Sequence, residues 1–432
     1  MVENKFFSAQ ARDLASIQKD KMDMFYQWFV GFSDGESNFS IIPKLDKNGT
    51  KINRFSFRFT IKLHIDDKNV LVYVHNTLGI GMVNQEGEEC KFVVSNIEGI
   101  RSLIAIFDVY NLNTTKYLDY MDFREAFNLY QGRNGLVSDE LKDKILNLKN
   151  SMNSNRTNFN MPSNHIKITA YWLLGLIEGA PRGSFQLWRS DLTPAFSIVL
   201  TEDQKPVLVK IKEFLLDNLA FDVNSKFKIE NTSVMAINTQ KARNNSKGSV
   251  LFIIKDIRIL HNYFIPFLAE RVFLSKKGLD FLDFKLICQL VYYGVHKEDT
   301  IRPLLLKLSR GMNNFRLTNY SNKIPAEFIT KDERDLLFKT PPLVEHLWDG
   351  RLRRIDTKKI LYQHESSIYF VLNPNGEEVK FLTLSDTARY VGSNIKTISK
   401  YLDVVSPPAD NTTYTAVVGG RRIKRVKVYI KK

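Results

Sequence analysis

The stretch WFVGFSDGESNF runs from Trp28 to Phe39, and WLLGLIEGAPRGSF runs from Trp172 to Phe185, so the second begins 144 residues after the first. Each reads as an apolar helix entering a tight turn, with Gly31 and Gly175 at matching places. Two further pairs follow in the same order. KYLDYMDF from Lys116 is answered by KGLDFLDF from Lys277, and MNSNRTNF from Met152 by MNNFRLTNY from Met312, at offsets of 161 and 160. Ordered matches whose offsets drift only by an insertion-sized amount indicate a duplicated unit.

The boundaries follow from composition. An N-terminal extension, residues 1–24, precedes a first half, 25–162, whose end is a polar linker, QGRNGLVSDELKDKILNLKNSMNSNRTNFNMPSNH, built around one helical stretch. The second half spans 163–320. A polar connection, 321–360, contains KTPPLVEH and GRLRRIDTKK, where prolines and charges argue against a continuing packed core. Residues 361–432 form a small terminal module with a basic tail.

The chain has 432 residues, enough for two or three cores, and 62 Lys plus Arg against 47 Asp plus Glu give a net charge of +15. Such a field attracts polyanions and points to nucleic acid. Cys90 and Cys288 are too few for a disulfide framework or a thiolate zinc site, and the dispersed histidines show no metal-binding spacing. No apolar run is long enough to suggest a membrane span. The start, MVENKFFSAQARDLASIQKD, has neither a secretory apolar core nor the look of a transit peptide. Together with a composition rich in Asn, Ile, Lys, Phe and Tyr, it raises the expectation of a protein made inside mitochondria and working in the matrix.

Arg54 to His64, RFSFRFTIKLH, alternates with period two. Phe55, Phe57, Phe59, Ile61 and Leu63 share one face of a strand, and Arg54, Ser56, Arg58, Thr60, Lys62 and His64 share the other, a cationic row suited to phosphates or base edges. In the second half GSFQLWRSDLTPAFSIVLTEDQ reads as the equivalent hairpin, with Phe196, Ile198 and Leu200 inward and Gln186, Trp188 and Ser197 outward. Arg189 follows directly. Gln186 can read adenine and Trp188 can stack on an unpaired base, while a partly buried Trp188 is the alternative.

The repeated W-x-x-G-[FL]-[SI]-[DE]-G segments resemble the LAGLIDADG homing endonucleases and maturases, particularly those encoded within introns of fungal mitochondrial genes. The likeness extends through FDVYNLNTTKYLDYMDF, YFIPFLAE, FLSKKGLDFLDFK and LLLKLSRGMNNFRLTN, covering most of residues 24 to 320. It implies an α+β fold in which an αββαββα unit occurs twice about a pseudo-twofold axis, with the motif helices side by side at Gly31 and Gly175 and the sheets forming a saddle over nucleic acid. It also implies that the last acid of each motif binds the divalent metal, Mg²⁺, beside the scissile phosphates. That position is Glu36 in the first copy. In the second it is Ala180, followed by Pro181 and Arg182, so the carboxylate is missing and Arg182 is a candidate phosphate contact. Glu178 aligns with Asp34 instead. Family sites also use basic strand residues, and Lys91 in EECKFVVSN is the candidate in the first half.

The terminal module carries SIYFVLNPNGEEVKFLTLSDTARYVGSNIKTISKYLD and ends GGRRIKRVKVYIKK. It looks like the helix-turn-helix of nuclease-associated modular DNA-binding domains, with Ser385 as N-cap, Gly392 in the turn, and Ile395, Ile398 and Tyr401 at helical spacing. That likeness places Lys396, Thr397 and Lys400 on the exposed face of the second helix, with a packing module as the alternative. Arg421, Arg422, Lys424 and Arg425 lie in an alternating basic strand that either tracks a backbone or frays. Three functions stay open. The favoured one is an RNA-binding group I intron maturase with a compromised centre, its partner a structured RNA. The others are a site-specific Mg²⁺-dependent endonuclease or nickase acting on double-stranded DNA, and an RNA-bound component of a mitochondrial ribonucleoprotein with protein partners.

Overall fold

The computed structural model describes residues 2–179, 184–242, 248–317, 328–347, 351–362, 367–404, 414 and 416–428. The first half runs α1 (Val2–Glu36), β1 (Ser37–Leu45), β2 (Ile52–His64), α2 (Lys68–Leu78), β3 (Met82–Glu86), β4 (Glu89–Val94), α3 (Ile97–Val109), α4 (Lys116–Gln131) and α5 (Asp139–Asn150). The second runs α6 (Ala170–Gly179), β5 (Phe185–Trp188), β6 (Thr193–Thr201), α7 (Lys205–Asn218), α8 (Val223–Glu230), β7 (Met235–Gln240), β8 (Ser249–Ile254), α9 (Ile257–Ile259), a π turn (Leu260–Phe264), α10 (Ile265–Ala269), α11 (Lys277–Tyr292) and α12 (Arg302–Arg310). The two antiparallel sheets have equivalent orders, β1-β2-β4-β3 and β5-β6-β8-β7. The first motif helix is longer than its counterpart, since residues 2–24 continue α1 without a break. Helix α8 has no equivalent in the first half.

Alternation in β2 works as its pattern requires. Phe55, Phe57, Phe59 and Ile61 are buried, and Arg54, Arg58 and Lys62 are exposed. The buried side joins a cluster in which the rings of Phe29, Phe39, Phe59, Phe107 and Tyr120 lie within about 6 Å of one another. Phe185, Phe196 and Phe284 do the same beneath the second sheet. Both belong to one continuous core. In β6 the alternation holds for Phe196 and Ile198 but weakens at Leu200, which is half-buried, while Ser197 on the opposite face is buried as well.

The other repeated segments owe their likeness to a bracket built twice. Asn153 and Asn313 adopt left-handed backbone, φ 56° and 60°, a region that asparagine tolerates. The side-chain amide of Asn153 donates to the Phe39 carbonyl and that of Asn313 to the Phe185 carbonyl, both at 3.1 Å. Their backbone N–H groups donate to Asp119 and Asp280, which also receive the guanidinium groups of Arg156 and Arg316. Helices α4 and α11 are thereby tied to the first strand of their own sheets.

The described residues of the 321–360 connection, 328–347 and 351–360, pack more than their composition implies. Helix α13 (Lys331–Lys339) opens with a capping box between Thr330 and Glu333, and its Leu337 enters the main core. After it come β9 (Val344–His346), β10 (Leu352–Arg354) and β11 (Ile360–Tyr362). Val344 is buried against Gly294, and the His346 ring stacks on Tyr292, which stacks on His261, with centroids 3.8 and 3.9 Å apart. A few well-placed apolar and aromatic side chains suffice to dock a segment rich in charged residues.

The terminal module is a sheet carrying a helix pair. Strands β12 (Ser367–Leu372), β13 (Glu378–Phe381), β14 (Ala416–Val418) and β15 (Arg421–Lys427) are ordered β13-β12-β15-β14. Helices α14 (Leu384–Val391) and α15 (Ile395–Val404) flank Gly392 at φ 70°. Thr383, not Ser385, caps α14, because its hydroxyl accepts from the Asp386 N–H at 3.0 Å. Ile398 and Leu402 form the buried face of α15, whereas Ile395 and Tyr401 are exposed. Over Arg421–Lys427 the basic terminal strand is not frayed, since β15 lies inside the sheet, and residues 429–432 lie outside the described residues.

Helices α1 and α6 meet backbone to backbone. A Cβ on Gly31 would stand 2.0 Å from the Trp172 carbonyl oxygen, and one on Gly175 would stand 2.1 Å from that of Trp28. Gly31→Ala therefore forces the helices apart. It is expected to destabilise the protein by about 3 kcal/mol or more, read as a lower midpoint in thermal or urea unfolding.

Candidate catalytic centre and nucleic-acid interface

The packed motif helices set the centre. Gly35 and Gly179 continue the close approach one turn beyond Gly31 and Gly175. A reciprocal exchange then locks the pair. The Trp28 indole donates to Glu178 at 2.7 Å, and the Trp172 indole donates to Asp34 at 2.8 Å. Asp34 also accepts from the Asn113 and Thr114 amides and the Thr114 hydroxyl. Glu178 accepts from the Leu274 and Ser275 amides and the Ser275 hydroxyl. Burial pushes both carboxyls above the ordinary range, opposed by these hydrogen bonds. Their oxygens are fully engaged in holding the turns before α4 and α11 to the motif helices.

A second pair of cross-braces links the halves. The Lys276 amide donates to Asp67 at 2.8 Å, and the Lys276 ammonium pairs with Asp66 at 2.8 Å. At the corresponding place Thr115 donates its amide to Gln204.

Glu36 ends α1 beside this lattice. Its carboxyl is pushed up to about 7, chiefly because burial penalises the charge, with Lys116 and Lys277 opposing the shift. Those lysines begin the repeated K-x-L-D segments, and burial lowers both below the usual lysine range. The Lys116 ammonium donates to the Ser37 carbonyl, just past Glu36. The sequence shows both lysines in the repeat, but only the fold reveals that they converge on Glu36. Lys91 is placed elsewhere. It stands on β4 opposite Lys62, pairs with Glu86 at 2.8 Å, and does not act on Glu36.

Two-cation hydrolysis needs clustered carboxylates. Here the matching position in the second motif is Ala180, Glu178 is occupied, and the neighbours of Glu36 are ammonium groups. Among the described residues no group of three or more His, Cys, Asp or Glu is arranged to hold a metal. The donor set does not fit a pair of divalent cations. Ala180 and Arg182 lie outside the described residues.

The first sheet presents Arg54, Arg58 and Lys62 in a row, with Lys62 paired to Glu89. His64 turns away from that row, its Nδ1 accepting from the Asp66 amide at 3.2 Å. On the second sheet Gln186 donates to the Ser197 hydroxyl at 3.3 Å, Trp188 is 39% exposed, and Arg189 is exposed beside it. In the terminal module Lys396, Thr397 and Lys400 are exposed on α15, and Arg422 is exposed on β15. Lys424 pairs with Glu378 at 3.3 Å, Arg421 donates to Asn373, and Arg425 is half-buried.

Similarity decides the family. Over 324 residues the chain is 30% identical to a probable intron-encoded endonuclease of Schizosaccharomyces pombe, covering 71% of this chain and 77% of that protein, and residues 29–127 match the family described as LAGLIDADG endonuclease. The chain belongs to the LAGLIDADG endonuclease family. An uncharacterized mitochondrial protein of Saccharomyces cerevisiae is 27% identical over 397 residues, with coverage of 89% and 78%. Relatives of this LAGLIDADG protein are thus fungal proteins named as mitochondrial or intron-encoded, in agreement with a mitochondrial, organelle-encoded protein. The LAGLIDADG homing endonuclease I-GzeII, solved in complex with its DNA target, superposes with a TM-score of 0.56 at 23% identity, covering 67% of this chain and 99% of that one. The meganuclease I-SmaMI superposes with a TM-score of 0.56 at 18% identity, over 68% and 98%. These matches establish the α+β saddle fold. LAGLIDADG endonucleases generally depend on a divalent metal, which makes the missing partner of Glu36 a departure of chemical consequence.

The raised Glu36 carboxyl has a measurable sign. Below its ordinary value near 4.5 the group is protonated whether folded or unfolded. As pH rises through about 7 the folded state increasingly carries a poorly solvated charge, so stability is lost. Glu36→Gln is expected to match the wild type near pH 4.5 and to exceed it by on the order of 2 kcal/mol at pH 8, measured as the difference in unfolding midpoint across that range in metal-free buffer.

Proposed function

We propose that this LAGLIDADG protein is an RNA-binding intron maturase, or splicing cofactor, that retains the family's saddle and does not make double-strand breaks. The observation that carries this reading is the state of the acid positions. Ala180 replaces one carboxylate, and the nearby Glu178 is committed to four hydrogen bonds that hold the fold. Losing one member of a catalytic set costs orders of magnitude in rate. Binding needs none of it. Arg54, Arg58 and Lys62 supply a cationic row for phosphates, and folded RNA is recognised largely through backbone, shape and unpaired bases. The exposed Lys396, Thr397 and Lys400 add a second contact surface.

One observation favours a second reading. Glu36 is intact and faces Lys116 and Lys277, an arrangement that fits a DNA nickase cutting a single strand. The fold's solved relatives hold DNA targets, so the same saddle accommodates a duplex.

The full chain should shift the intron RNA of its host gene in a gel and leave both strands of the intronless DNA junction uncut in Mg²⁺, with Glu36→Gln behaving alike. Arg58→Ala should weaken RNA binding and reduce the slope of log affinity against log salt by about one. A sequence-specific cut or nick that disappears in Glu36→Gln would overturn the maturase reading in favour of the nuclease.

A further inference from the structure

The two sheets of the saddle have equivalent strand orders and opposite chemistry. Strands β1, β2 and β4 carry Lys44, Arg54, Arg58, Lys62 and Lys91. The four strands of the second sheet read FQLW, TPAFSIVLT, MAINTQ and SVLFII, without a single Lys, Arg, Asp or Glu. Register pairs Gln186 with Ala195, Trp188 with Thr193, Ser197 with Ile253 and Val199 with Leu251 across the non-core face. That face is neutral; Ala195, Ser197 and Ile253 on it are buried, and its open large side chains are Trp188 and Val199, 39% and 37% exposed. Among the described residues, cations occur only at its margins. Lys255 follows β8 and holds its ammonium 3.4 Å from the Trp188 ring centroid, Arg189 follows β5, and the connection between β7 and β8 carries Lys241.

A double helix presents phosphates along its whole length. Laid across the second sheet, it would find counter-charge only at the margins of the face, at Lys255, Arg189 and Lys241, and none along the strands. Base faces are the complementary surface, because they are flat, weakly polar and stack on indole rings, and they become available only where a strand is unpaired. We infer that the second sheet receives unpaired nucleotides of an RNA whose helical part lies on the first sheet, with Trp188 as the stacking platform and Lys255 as the phosphate contact beside it. The ligand class is a helix joined to a single-stranded segment. The inference rests on the reading of the saddle as an RNA surface, and it names the substrate feature that surface selects.

The test uses the full chain carrying Trp348→Phe, so that the indole signals are those of Trp188 and the buried Trp28 and Trp172. Two RNAs share one helix, and only one bears a single-stranded tail of about ten nucleotides. The tailed RNA should bind about tenfold more tightly and quench the fluorescence. Adding Trp188→Ala should abolish that advantage while leaving affinity for the blunt helix and its salt slope unchanged, and Trp188→Phe should keep most of it. Lys255→Ala should lower the salt slope by about one for the tailed RNA alone. Equal binding of both RNAs with no quenching would overturn the inference while leaving the RNA reading in place. Failure to bind either RNA would overturn both, and a blunt-helix affinity that falls in Trp188→Ala would also reject it by placing Trp188 under the duplex.

Discussion

Helices α1 and α6 meet with no side chain between their backbones at Gly31 and Gly175, and each half reaches across that contact to complete the other. The Trp28 indole satisfies Glu178 and the Trp172 indole satisfies Asp34. A buried carboxylate is tolerated only when its oxygens are paired. Both are, each by groups drawn from two separate places in the chain. The turns before α4 and α11 are thereby fixed, and with them the lysines that begin those helices. The placement of Lys116 and Lys277 around Glu36 is thus a consequence of how the motif helices pack.

That dependence explains why the two acids of the motif have had different fates. Asp34 and Glu178 stabilise the fold, and removing either would leave buried amides and an indole without an acceptor, at about 1–3 kcal/mol for each stranded group. Glu36 instead costs stability at neutral pH, because burial penalises its charge more than Lys116 and Lys277 offset it. Its counterpart, Ala180, escapes that cost.

Much of this was legible in the sequence because the repeated segments are the ones whose side chains make specific bonds. Asn153, Arg156, Asp119 and their counterparts recur because each half needs the same bracket, and the alternation in β2 survives because one face meets a core of phenylalanines. What stayed hidden depends on where distant elements converge. The lysines of the K-x-L-D segments are visible as a repeat but not as neighbours of Glu36, while Lys91, close in sequence logic, pairs with Glu86. His64 occupies the correct face of an ideal strand, yet it sits where the strand ends and caps the following turn. The cap of α14 falls on Thr383 because β13 ends just before it, and Ile395 and Tyr401 face outward because Ile398 and Leu402 already fill the space above the sheet. Residues 321–360 dock through a handful of side chains that composition averages away.

The reciprocal bond between tryptophans and acids also imposes an order on synthesis. When Trp28 and Asp34 leave the ribosome, the indole and acid that complete them have not been translated, and the second motif begins 144 residues later. At roughly 5–20 residues per second, that leaves the first half waiting on the order of ten seconds with its glycine-lined helix face uncovered. The nascent chain therefore passes through an interval in which the face of α1 that later meets α6 is left uncovered.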